Sequence, residues 1–203
     1  MNKNQQRNLI GTADAIGDDL ALAWNHVATL RALQKHAHSN PKLIEVHNHF
    51  FFTITKALWD VLLLKLSHCT DTKREAKGFP KFFRQLKKYS PEEATLEETI
   101  KKQEKVLQQL STQEKVKKWR NEIIAHHTNA ADGLQFFEDH QVTLDEVEKL
   151  VTKHRDILQA STFPLFNLGF KIKDHGPRAH RGVNKLFASL KESPTKQSRG
   201  TSR

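Results

Sequence analysis

The chain has 203 residues, of which 37% are hydrophobic and 28% charged, which suits one domain, or one domain with appendages, with a modest core. A single cysteine, Cys69, excludes a disulfide framework and a cysteine-based zinc site. The net charge of +10 points towards a polyanion, but nine Lys and Arg against Asp174 and Glu192 lie between Lys171 and Arg203, so most of the excess is terminal.

The opening MNKNQQRN carries no apolar run, so no secretory signal is expected. The most apolar stretch, Phe50 to Leu66, is interrupted by Lys56, Asp60 and Lys65 and is too short and polar to span a bilayer. These features lead us to expect a soluble, cytoplasmic protein.

Apolar residues recur at helical spacing nearly throughout. Ile16, Leu20, Ala23, Trp24, Val27 and Leu30 predict a first helix over about residues 13–37. Asn40-Pro41 opens a second, with Asn as cap and Pro at the first helical position. Its stripe runs from Leu43 through Phe50 and Ile54 to Leu62, apolar over most of its circumference, and it is expected to be central. Gly78-Phe79-Pro80 is expected to break the chain before a short aromatic piece with Phe82 and Phe83.

Ser90-Pro91-Glu92-Glu93 reads as a capping box, and Ser111 or Thr112 as a further start. One long helix or two in succession fit the pattern up to Ile124, with a stop at Asn129 to Gly133. Thr143 and Glu146 form another capping box before Val147, Leu150, Val151, Ile157 and Leu158. No period-two alternation, glycine-rich phosphate loop or internal repeat is visible. The expected fold is all-α, an antiparallel helical bundle over residues 1–170, followed by a flexible basic tail, 171–203, largely disordered with at most one short helix around Leu186, Phe187 and Leu190.

Twelve histidines raise the question of a metal. The pairs His36/His38 and His47/His49 point to nearly opposite sides of a helix and share no ligand position. No HExxH occurs, so no metal and no cofactor is expected. His154 falls on an apolar face and reads as a hydrogen-bonded core histidine. Trp24 and Trp59 read as core, and Lys56 and Asp60 as an i, i+4 pair.

The segment Trp119-Arg120-Asn121-Glu122-Ile123-Ile124-Ala125-His126-His127-Thr128 departs from an ordinary amphipathic helix. Val116, Trp119 and Ile123 mark its packing face. Arg120 falls about 40° from Val116 and His127 about 20°, with His126 on the opposite flank beside Trp119. An arginine on an apolar stripe needs an anion. That anion is either a carboxylate of a neighbouring helix, Asp60 foremost, or a phosphate received in a cleft.

Arg120, the polar Asn121, an apolar run and His126 at a helix end resemble the arginine–histidine motif of the HEPN superfamily. Phe50 to Asp60, running on to Leu66 and Thr70-Asp71, resembles the second helix of the U-type HEPN proteins named for a phage abortive-infection system. Arg31 and His36 satisfy a similar spacing, but Ala32 follows that arginine where the motif has a polar residue.

The resemblance implies a helical bundle that dimerises and a metal-independent endoribonuclease acting in phage defence or as a toxin. It implies that Arg120 stabilises phosphate charge, that His126 is the general base or acid, and that Asn121 orients the histidine or binds the scissile phosphate. It implies RNA as substrate, the 2′-OH as nucleophile and a 2′,3′-cyclic phosphate product. Helix geometry puts His127 rather than His126 on the side of Arg120, so either imidazole fits the role. Thr128 stands where related toxins carry a modifiable Tyr, so silencing by that route is not expected, although an antitoxin or other regulatory partner fits the class. A non-catalytic module that binds RNA or protein through the same residues is the alternative, and a DNA-associated protein using its basic tail is a third.

Overall fold

The structure, a computed structural model, describes residues 1–73, 75–89, 94–121, 141–166 and 176–192. Among these are eight helices and no strand: α1 (Lys3–Ser39), α2 (Pro41–Val46), α3 (Asn48–Cys69), α4 (Phe79–Tyr89), α5 (Ala94–Gln108), α6 (Ser111–Trp119), α7 (Leu144–Phe166) and α8 (Gly176–Glu192). The all-α reading holds.

The centre of the bundle is α1, not the expected second helix. Leu9, Ala13, Ile16, Leu20, Ala23, Val27 and Leu30 recur every three or four residues and are all buried, facing α3, α4 and α7. Ala32 and Leu33 open a second buried face near the C-terminal end. Asn2 and Gln5 start α1 with a reciprocal capping box that the apolar pattern alone does not reveal. The apolar girth of Phe50 to Leu66 is only partly used: Leu62, Leu63 and Leu66 are buried, whereas Phe50 and Phe52 are exposed.

The expected second helix is broken in two. Pro41 sits at the start of α2, but the Asn40 side chain donates back to the His36 carbonyl at 2.9 Å and makes no capping bond. The chain turns at His47 before α3. Asp19 of α1 meets Lys65 of α3 at 2.7 Å, while Ala37 and Asn48 line a common cavity, so the two helices are antiparallel.

Of the two arrangements left open beyond Ala94, the chain takes the broken one, parting at Gln109–Leu110. In α4, Phe79, Phe82, Phe83 and Leu86 form one buried stripe. Thr143 and Glu146 make the anticipated capping box: the Glu146 amide donates to Thr143 Oγ1 at 3.2 Å and the Thr143 amide to Glu146 Oε2 at 2.8 Å. The first turn of α7 is tied to α1 by Arg31, which bonds Asp145 and Glu148.

The region beyond residue 170, expected as a largely disordered tail with one short helix, contains the 17-residue α8 seated on α1. Val183 and Phe187 enter a small second core with Ala32, Leu33 and Phe51. Phe187 stacks on His36 with ring centroids 4.6 Å apart, and His36 Nε2 lies 2.6 Å from Asn184 Oδ1. Burial of two large side chains is what holds this basic segment against the body. The Ser90 capping box and the Asn129–Gly133 stop lie outside the described residues.

No helix among the described residues is long and apolar enough to cross a membrane.

Candidate functional site

The C-terminal end of α3 and the length of α6 form one joint. Gln113, buried on α6, donates from Nε2 to Oγ1 of buried Thr70 at 2.7 Å. Val116, one turn further on, is fully buried. Behind this joint Gly78 closes on α3: a Cβ there would stand 2.6 Å from the His68 carbonyl oxygen and 2.8 Å from that of Cys69. Only glycine permits this return, which keeps the Thr70-Asp71 corner tight against the bundle.

Arg120 follows α6 directly. Its Nη1 lies 3.4 Å from Asp71 Oδ2, with the two side chains 26% and 15% exposed. Its Nε and Nη2 both donate to Asn121 Oδ1, at 3.0 and 2.8 Å. Arg120 and Asn121 adopt the wider π-helical winding, a local irregularity that frequently marks functional sites. The carboxylate expected opposite Arg120 is therefore Asp71 and not Asp60. Asp60 is occupied by Lys56 at 2.6 Å, the anticipated i, i+4 pair. The reason is length: Arg120 sits beside the end of α3, and Asp60 lies almost three turns back along it.

Asn121 grips the guanidinium, so its oxygen orients the arginine. One carboxylate at the long end of an ion-pair distance and one neutral amide leave the cation incompletely compensated. His126 and His127, the expected acid–base residues, lie outside the described residues.

Two hollows flank this corner. A cleft of about 420 Å³ contains Asp18, Asp19, His68, Asp71 and Lys77. Asp19 is held there by Lys65 and lies 3.7 Å from His68 Nδ1. A larger cavity of about 630 Å³ lies between α1 and α3 and reaches Trp119, the residue before Arg120. Phe51, Phe52 and Trp59 help line it, so Trp59, expected in the core, only packs on the core's edge and faces a hollow. The sequence reading missed this cavity; its one visible signal was a helix too apolar around its girth to be buried by a single neighbour.

The decoy spacing resolves cleanly. Arg31 is consumed by Asp145 and Glu148, and His36 by Phe187 and Asn184. Among the described residues no three His, Cys, Asp or Glu side chains gather as a metal site would require. His154 is fully buried against Phe79, with ring centroids 5.4 Å apart, but neither ring nitrogen has a hydrogen-bond partner. The expected hydrogen-bonded core histidine is thus buried without the bond, and desolvation holds its pKa down to about 3. Burial likewise pushes the Cys69 thiol well up, leaving it an inert core group.

The chain matches the family model for AbiU2, a HEPN domain, over residues 7–186. It belongs to the AbiU2 HEPN family. The match takes in the whole joint between α3 and α6, the Arg120 segment and most of α8. No curated protein and no solved structure matches the chain. Thr70-Asp71, noted first as part of the second-helix likeness, is the corner that Arg120 meets.

Proposed function

We propose that this AbiU2 domain is a metal-independent endoribonuclease of HEPN type, acting in phage defence or as the toxin of a toxin–antitoxin pair. The observation that carries the reading is the state of Arg120: a partly buried arginine just past a helix end, oriented by Asn121 and only loosely neutralised by Asp71. A phosphate diester displaces such a weak partner readily.

In the reaction an imidazole removes the proton from a ribose 2′-OH, and that oxygen attacks the adjacent phosphorus. The phosphorus–5′-oxygen bond breaks, the leaving oxygen takes up a proton, and a 2′,3′-cyclic phosphate remains. Arg120 balances the charge that builds on the non-bridging oxygens. His126 is assigned as general base or acid because imidazole titrates near neutral pH, with His127 as its adjacent substitute. DNA lacks the nucleophile and is spared. The working form is a cytoplasmic homodimer whose partners are RNA and an antitoxin or other regulator.

A second reading has support in the same geometry. Arg120 already pairs with Asp71, as a purely structural salt bridge between helices would. Under it the domain binds RNA or protein without cutting. An RNA carrying a single cleavable ribose among 2′-deoxy residues separates the two: cleavage at that ribose, lost in His126→Ala or in His127→Ala, assigns the base, and binding without cleavage favours the module.

A further inference from the structure

The cavity beside Trp119 is built for something flat and uncharged. Its volume of about 630 Å³ falls in the range of small-molecule sites. Its walls carry Phe51, Phe52, Trp59 and Trp119, with Phe52 itself 66% exposed. The polar groups among its lining are few: the Gln34 and Asn48 amides, the Thr55 hydroxyl, and the Lys56–Asp60 pair, which is already internally neutralised. An anionic headgroup finds no free cation within this set. A cation stands one residue past Trp119, on Arg120, whose ion pair with Asp71 is long at 3.4 Å.

The other hollow at this corner is lined by Asp18, Asp19, His68, Asp71 and Lys77, and among its described residues it has no Phe, Tyr or Trp on which a base could stack. A base next to a phosphate held by Arg120 therefore finds its stacking surface on the aromatic side. We propose that this cavity is a base-binding subsite, in which an unpaired nucleobase of single-stranded RNA stacks on Trp59 and Trp119 while a neighbouring phosphate reaches Arg120. Base–aromatic stacking is tolerant of sequence, and the two amides offer partners for a base edge. The inference rests on the ribonuclease reading for its choice of RNA, and it makes that enzyme a reader of single strands.

The test is binding of the full chain to two uncleavable probes of equal length: a short 2′-O-methyl single strand and its abasic counterpart. The intact strand should bind roughly tenfold more tightly and quench tryptophan fluorescence. Ala37→Leu narrows the cavity without removing a core side chain and should erase most of that preference. Trp59→Phe should keep it and Trp59→Ala should lose it. Equal affinity for the two strands, or no binding of either, overturns the subsite. So does an Ala37→Leu variant that keeps the preference but changes the oligomeric state, which gives the cavity to a second copy. Cleavage of unmodified RNA, measured alongside, reports separately on the ribonuclease reading.

Discussion

Thr70 and Gln113 share a buried hydrogen bond of 2.7 Å, and the residue after Thr70 is the one that faces Arg120. The bond fixes the register of α6 against the end of α3, and Arg120 inherits its position from that register. Thr70→Val preserves shape but strands the Gln113 amide in the core. It should cost about 1–3 kcal/mol in chemical denaturation. It should also lower RNA cleavage, because the guanidinium is no longer held to its corner.

Asp71→Asn removes the carboxylate while keeping an oxygen opposite Arg120. The pair is partly exposed, so the effect on stability should stay within about 1 kcal/mol. RNA should bind at least as tightly, since the cation has lost its internal competitor, and turnover should fall because the guanidinium is less well placed. Affinity and single-turnover rate, measured separately on this variant, check the two halves of that expectation.

His154 makes the protein sensitive to acid. Its neutral form is favoured in the folded chain, where its pKa is about 3, against 6.5 when exposed. Below pH 6.5 the unfolded state therefore binds a proton that the folded state refuses. Stability is complete above that pH and falls as pH drops towards 3, by up to about 1.4 kcal/mol per unit for this one group. His26, also held down by burial, adds in the same direction. His154→Leu removes two unpartnered nitrogens and should raise the thermal midpoint at pH 5 more than at pH 8.

The basic C-terminal region is not simply a dispensable arm. Phe187→Ala empties the contact with Phe51 and His36 and should destabilise the chain by about 3–5 kcal/mol. Truncation before Gly176 should expose Leu33 and Phe51 and promote aggregation, visible by light scattering. A loss of nucleic-acid binding in such a truncation would thus report on folding as much as on charge.

Most of the fold is legible in the sequence because amphipathic periodicity and capping are local. The Ile16-to-Leu30 series, the Phe82–Phe83 piece and the Thr143–Glu146 box each follow from a few neighbouring residues, whereas the start of α1 at Lys3 and the place of Phe79 inside α4 do not. What is not local is not legible. The identity of the central helix depends on which apolar faces find partners, and the girth of α3 is spent partly on a cavity. The partner of Arg120 depends on the register of two helices fifty residues apart in the chain, so charge spacing alone favoured Asp60 over Asp71. The packing of α8 was hidden because two buried side chains, Val183 and Phe187, are outnumbered by cations around them.

On the proposed function, Arg120 and a histidine at position 126 or 127 cut RNA without a metal. The most direct test is incubation of a defined single-stranded RNA with the purified chain in excess EDTA, beside Arg120→Ala and a His126→Ala, His127→Ala double variant. The wild type should yield fragments ending in 2′,3′-cyclic phosphate, and neither variant should yield any. Cleavage that persists in Arg120→Ala, or that ends in a 3′-hydroxyl, would contradict it.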